Sequence, residues 1–340
     1  MKAELKTQFK GVVEEFERGE LSFGAPWRMS KKAASAVVPI IRQNQAKRGY
    51  VLLQEVQDKV LMKDMGQINR AVITNKSDSY VFVRKGSLLK GTTQERGVTV
   101  GVVVPPNSIS EIEIQCVHAS KGIISGSDYH YAGIAPREVE GAFMSNANQR
   151  ETWSAVESSM KTYDRMVRNM QFGSRCVRTW RDDDLVAAME QTAKFKDEVE
   201  RVLEKVPVDL DGQVGIAIID ASGVAGVEFF DHPESWRAFS RSVVRNYAEE
   251  LIGEKAELFE LDDEKVEPTI MDFLEKLAEA REVQTITGDR SETRLLESPE
   301  VVGEYALLNG RIIHAIGTRT AKEVVEHHGI KVPQRGTDYG

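Results

Sequence analysis

Any chemistry in this chain has to come from a few polar segments set between apolar runs. The densest is Lys90-Gly91-Thr92-Thr93-Gln94-Glu95-Arg96. Gln94 offers an amide there, and Arg96 offers a planar fork suited to a carboxylate or a phosphate. Two residues apart on a strand, their side chains share a face. A solvated hairpin loop is the competing reading of the same residues. Extended upstream, the segment becomes Gly86-Ser-Leu-Leu-Lys-Gly91-Thr92-Thr93, which invites comparison with a phosphate-binding loop. The comparison fails because Thr92 stands where the phosphate-reaching lysine belongs, and because the segment joins strands instead of opening a helix. A second polar segment, Gly288-Asp-Arg-Ser-Glu292-Thr-Arg294, adds Arg290, Glu292 and Arg294, where Glu292 and Arg294 either form a ladder pair or contact a ligand. The candidate ligand-binding set is therefore Gly91, Gln94, Arg96, Arg290, Glu292 and Arg294. No residue is assigned a catalytic role.

Other reactive side chains give less. Cys116-Val-His118 places a thiol beside an imidazole, but without a third group to orient the base, so a packed cysteine with a surface histidine is the expectation. Ser125, Asp128, Tyr129 and His130 have the composition of a binding loop and no catalytic spacing. His314 reads as a core histidine inside an apolar strand, and His327-His328 as cations near a helix C-terminus. Asp182-Asp183-Asp184 reads as a helix start, where the macrodipole favours carboxylates. Six histidines without HxH or HExxH spacing, and two cysteines, Cys116 and Cys176, imply no metal site and no disulfide framework. No cofactor is assigned.

The elements that must position these groups follow from hydrophobic periodicity. Leu5, Phe9, Val12, Val13 and Phe16 lie at helical spacing before Gly19. From residue 21 to 135, short runs rich in Val, Ile and Thr alternate with turn residues, which predicts an antiparallel β sandwich or barrel. Ile112-Glu-Ile114-Gln-Cys116 alternates as a strand with one wet face should. Residues 136–206 read as helical, over 148–170 and 182–206. Residues 207–326 read as an α+β half, with hairpins at Asp220-Ala-Ser-Gly223 and Asn309-Gly310 and helices over 233–252 and 268–281. Asp231, with Glu234 three residues on, suggests a capping box for the first of these helices. The two hairpins resemble each other loosely. The fold class is α+β: a β-rich N-terminal half, then a helix-rich half with a small antiparallel sheet, and a tail over 327–340.

Composition bounds the rest. The 340 residues carry 45 Lys and Arg against 53 Asp and Glu, a net charge of −8, which argues against general nucleic-acid binding. With 41% hydrophobic residues the chain is ordinary globular material. It has no apolar run near the ~18 residues that span a bilayer, and no apolar leader follows Met1. A cytoplasmic protein is the expectation, with a homo-oligomer allowed.

Several segments together resemble a known family, the ADP-ribosylglycohydrolase- and rhodanese-phosphatase-associated protein domain of bacteria and archaea. The resemblance starts at Leu21-Ser-Phe-Gly-Ala-Pro26 and Ala36-Val-Val-Pro39, where the family has a short opening strand and its first core strand. It is clearest in Gly91-Thr-Thr-Gln94-Glu-Arg96, Val102-Val-Val-Pro-Pro-Asn-Ser108 and Ile114-Gln-Cys116-Val-His118. It continues through Gln149–Trp153, Gly212-Gln-Val-Gly215, Phe229-Phe-Asp-His-Pro-Glu-Ser-Trp236, Tyr247, Gly288–Arg294 and Ala306–His314, so that it spans about residues 21–316. The chain departs from the family where Ser87 and Leu88 replace acidic residues, where Glu95 replaces an asparagine, and where His118 replaces a glutamate. The resemblance implies a setting in NAD or ADP-ribose metabolism, by association only. From it follows the expectation of a domain that binds or processes an ADP-ribose-like or phosphorylated small molecule. The rival expectation is a non-catalytic scaffold or protein-interaction protein.

Overall fold

The computed structural model describes residues 8–28, 35–67, 69–91, 94–118, 128–170, 184–193, 198–253 and 262–320. Leu5, Thr92, Thr93, Ser125, Cys176, Asp182, Asp183, His327 and His328 lie outside them. Helix α1 (Lys10–Glu17) ends at Gly19 (φ 71°) and leads into β1 (Leu21–Phe23), β2 (Trp27–Arg28) and β3 (Ser35–Arg42). The β-rich stretch then supplies β4 (Tyr50–Leu52), β5 (Val60–Asp64), β6 (Arg70–Asn75), β7 (Tyr80–Val83), β8 (Ser87–Gly91), β9 (Glu95–Val98), β10 (Val102–Val104), β11 (Ser108–Cys116) and β12 (Asp128–Ile134). Helices α2 (Arg137–Met144), α3 (Gln149–Met170), α4 (Leu185–Thr192) and α5 (Glu198–Leu203) follow. The chain continues with β13 (Gln213–Asp220), β14 (Gly223–Phe230), α6 (Pro233–Gly253), α7 (Asp263–Glu279), β15 (Arg281–Gly288), β16 (Ser291–Glu297), β17 (Val301–Leu308) and β18 (Arg311–Arg319). The α+β class is as expected from the sequence, and of the two β architectures left open the barrel is the one formed.

Strands β11-β6-β5-β12-β8-β9 close a barrel in which every neighbouring pair is antiparallel. Met62, Ile73, Leu89, Val98, Ile112 and Ile114 fill it, while Glu113 and Gln115 point outward as the alternation requires. Helices α2, α3 and α4 cover the outside of β8 and β9, burying Leu88, Val139, Phe143, Met160 and Leu185 together. A middle layer, β10-β7-β4, separates barrel from sheet: Val81 and Val83 pack with the barrel core, and Phe82 between them packs with the sheet.

The sheet is larger than the small one expected. It has nine strands in the order β1-β3-β13-β14-β18-β17-β16-β15, with β2 also on β3. Both of its faces are covered. Helices α1 and α7 lie on one, and α5, α6 and the middle layer on the other. Its central strands are therefore continuous apolar runs such as Ile216-Ala-Ile-Ile219, without the alternation that marks a half-wet strand. Strand β3 joins through a register that pairs Val37 with Ile218, a contact no local pattern reveals. The two similar hairpins lie side by side through β14 and β18, with Glu228 opposite Ile316. Asn309 (φ 51°) and Gly310 (φ 75°) make the positive-φ turn that their types require.

Helix starts differ in detail from the expected ones. Asp184 caps α4, accepting from the Ala187 N–H at 2.9 Å, as the acidic run suggested. Helix α6 begins at Pro233, but His232 Nδ1 accepts the Glu234 N–H. Asp231 instead accepts the Tyr50 hydroxyl at 2.8 Å. Helix α7 starts at Asp263, capped by Asp262, and contains Pro268 within its length. No helix among the described residues is long and apolar enough to cross a membrane.

Candidate functional site

The turn between β7 and β8 drives two consecutive cations, Arg84 and Lys85, into the face of the sheet. Both are fully buried, and each meets a carboxylate in the middle of an apolar strand. Arg84 makes a bidentate pair with Glu228 of β14, Nε–Oε1 at 2.5 Å and Nη2–Oε2 at 2.7 Å. Lys85 Nζ lies 3.3 Å from Glu304 of β17, whose other oxygen accepts the Gly101 N–H at 2.9 Å. Buried charge is tolerated only when paired and hydrogen-bonded, and here both conditions are met. Burial disfavours the Glu228 carboxylate, but the Arg84 charge, its two hydrogen bonds and His314 outweigh that and hold the carboxyl at about 2.

Arg84 has a third partner. Its Nη1 donates at 2.6 Å to Glu140 Oε1 from the first turn of α2, where the helix dipole favours an acid. Glu140 is the point at which this core reaches a surface groove of about 610 Å³ between α2, α6 and the β17–β18 hairpin. Met144, Val302 and Ile316 form an apolar patch in the groove. Beside it, the Arg137 guanidinium stacks 4.1 Å from the centre of the Tyr247 ring and donates to the Ala225 carbonyl at 3.0 Å. Thr318 Oγ1 donates to that same carbonyl. Arg319 is forked by Asp220, with Nη1–Oδ1 at 2.7 Å and a second contact between Nη2 and Oδ2. The Tyr247 hydroxyl passes so close to the backbone of β14 that a Cβ at position 226 would lie 2.3 Å from it, so Gly226 is what admits the ring. The groove thus combines an apolar patch, an aromatic plane, two guanidinium groups and one buried carboxyl.

The residues singled out in the sequence lie elsewhere. Gly91 accepts its place at the tip of the β8–β9 hairpin, donating its N–H to the Gln94 carbonyl at 2.9 Å. Gln94 and Arg96 are buried. Arg96 lies inside one end of the barrel with Asp64 at 3.5 Å, and its Nε donates to the Tyr129 hydroxyl at 3.3 Å. That hydroxyl in turn donates to Asp64 at 2.6 Å. Arg290 sits at the β15–β16 turn with φ 53°. Arg294, on the sheet, is held by Glu292 at 2.6 Å and Glu282 at 3.0 Å. The barrel pair and the sheet group are not brought together, and neither lines the groove. His118 is buried 3.9 Å from Glu95, not at the surface as expected, because α4 closes over that side of the barrel and the Val186 N–H binds Glu95. Cys116 is buried and free, its backbone held by Gln149 and Trp153.

Of the groove-lining residues, Tyr247 and Glu151 fall in segments that carry the family resemblance, and neither stands out there by its chemistry. Arg137 and Glu140 follow Pro136 with no motif around them. The visible signal was indirect: Glu228 and Glu304 are single carboxylates inside otherwise apolar strands, and such residues need buried partners. No group of side chains among the described residues has the makings of a metal site. A family model described as the ARG and Rhodanese-Phosphatase-superfamily-associated Protein domain matches residues 20–318. No curated protein and no solved structure matches the chain.

Proposed function

The chain belongs to the ARG and Rhodanese-Phosphatase-superfamily-associated Protein domain family, and on that premise we propose that it binds a phosphorylated, ADP-ribose-like small molecule in the groove beside α2. The observation that carries this reading is the pairing of Arg137, stacked on Tyr247, with the apolar patch of Met144, Val302 and Ile316. A volume of about 610 Å³ lies within the roughly 300–1,000 Å³ of small-molecule sites. An anionic head would lie against the guanidinium groups, and a ring against the apolar side.

The test is a thermal-shift series with ADP-ribose, NAD, AMP and ribose 5-phosphate, followed by calorimetry on the variant Arg137→Met. A ligand at ~100 times its dissociation constant should stabilise the fold by about 2.7 kcal/mol. Loss of a charge-assisted hydrogen bond of about 1.5–3 kcal/mol should weaken binding by roughly 10- to 100-fold. Equal affinity in the variant would remove the groove as the site.

A second reading, a non-catalytic scaffold, has one observation of its own. Leu61 and Ile109 flank Thr74 in register across β5, β6 and β11, and they are 42% and 72% exposed. If this row docks another chain, Ile109→Asp should abolish the association seen by sedimentation and leave the melting temperature unchanged. Monomeric behaviour of both proteins at all concentrations would count against it.

A further inference from the structure

Glu140 belongs to two environments at once. Its Oε1 is bound to Arg84 in the core, and the residue also lines the groove. Arg84 is already matched by the bidentate Glu228, so the cluster sets two carboxyl groups against one guanidinium. His314 lies on the Glu228 side of the cluster. It is wedged between Phe82 and Phe230, with ring centroids 5.2 and 4.5 Å away, and its Nε2 meets Glu228 at 3.1 Å. Its Nδ1 has no hydrogen-bond partner among the described residues. Burial pushes the Glu140 carboxyl up, with Arg84 opposing and Glu228 reinforcing the shift.

We propose that Glu140 takes up a proton when an anionic ligand occupies the groove, so that binding there is proton-linked. This rests on the reading that the groove holds a phosphorylated small molecule. The charged groups facing Glu140 are Arg84 from the β7–β8 turn, Glu228 from β14 and Arg137 from its own helix. Glu138, Glu151 and Arg319 line the same groove. An anion held at Arg137 adds a third negative charge beside the existing two. Added negative charge disfavours the ionised carboxyl, so the balance held by Arg84 and Arg137 moves toward the protonated form. The proton comes from solvent, and the neutral carboxyl then donates its O–H to the ligand.

ADP-ribose is the probe of choice. Its pyrophosphate is a diester and does not titrate near neutrality, whereas a terminal phosphate has a second ionisation near pH 6. Any proton taken up with ADP-ribose therefore enters the protein. Calorimetric titration near pH 7 in two buffers of different ionisation enthalpy should show net uptake of up to one proton per ligand. Affinity should fall as pH rises, by at most about tenfold per unit. Glu140→Gln keeps an oxygen for Arg84 and stays neutral, so it should bind with no uptake and a flat pH profile. His314→Gln should leave the uptake intact. Binding without uptake by the unmodified protein, or uptake lost in His314→Gln and kept in Glu140→Gln, overturns the proposal and leaves the ligand site standing. If Glu140→Gln does not fold, the unmodified protein and His314→Gln decide the matter by the same criteria. Absence of binding by ADP-ribose, NAD, AMP and ribose 5-phosphate alike overturns the ligand reading, and the proton linkage with it.

Discussion

Glu228 is the residue on which most of the core converges, since it takes both forks of Arg84 and the imidazole of His314. Removing one partner of a buried pair costs about 3–5 kcal/mol, so Glu228→Gln should lower stability by an amount of that order near neutral pH. The sign of its pH dependence follows from the depressed carboxyl. A group held at about 2 in the fold contributes fully above the ordinary carboxylate range and loses that contribution as pH falls toward 2. The stability gap between the native protein and Glu228→Gln should therefore close between pH 5 and 2, as followed by denaturant titration. Gly226→Ala should act on the groove from a distance: the new Cβ would lie 2.3 Å from the Tyr247 hydroxyl and force the ring aside. About 1–3 kcal/mol of overpacking is expected, with weaker ligand binding in the same calorimetric assay. In the sequence the polar loops stand out because their residues cluster. The structure buries Gln94 and Arg96 and places the groove at residues that are isolated in the chain, because only the fold brings Arg137, Tyr247 and Arg319 within one concavity.

Elements were the most legible level. Period-two runs, Asn309-Gly310 and Pro233 marked strands, hairpin and helix start by local chemistry, and these features formed as the residues require. Asp184 is another such marker. Its carboxylate satisfies the Ala187 N–H at the start of α4, so Asp184→Ala should cost about 1 kcal/mol, measured as a shift in denaturation midpoint with unchanged slope. Asp231 shows where local reasoning stops. The capping pattern is present in the chain, but a tyrosine 181 positions away competes for the carboxylate and takes it. The Tyr50 hydroxyl is buried and finds its partners inside the protein, with Asp231 at 2.8 Å, Ser235 at 2.9 Å and the Ile313 carbonyl at 3.3 Å.

At the scale of the whole molecule, the barrel and the sheet are joined by charge as well as by apolar packing. Arg84 and Lys85 leave one unit and end in the other, with the middle strands filling the space between. Heat should therefore melt the two as one transition, with far-UV circular dichroism and tryptophan fluorescence superimposing. Two resolved transitions would show that they fold separately. The Arg84–Glu228 and Lys85–Glu304 pairs form a clasp that no local pattern announces, and the pairing of β3 with β13 is hidden in the chain for the same reason, since its partners are brought together only by the finished fold. The clasp also has a consequence in time. Its halves are 144 and 219 residues apart, and a ribosome releases the cationic half first. Until the strands bearing Glu228 and Glu304 emerge, Lys85 lacks its carboxylate and Arg84 has only Glu140, 56 residues on, to receive it. At about 5–20 residues per second that interval lasts from several seconds to tens of seconds. During it the barrel has reason to stay open at that turn, so the last third of the chain sets the moment at which the first third can close.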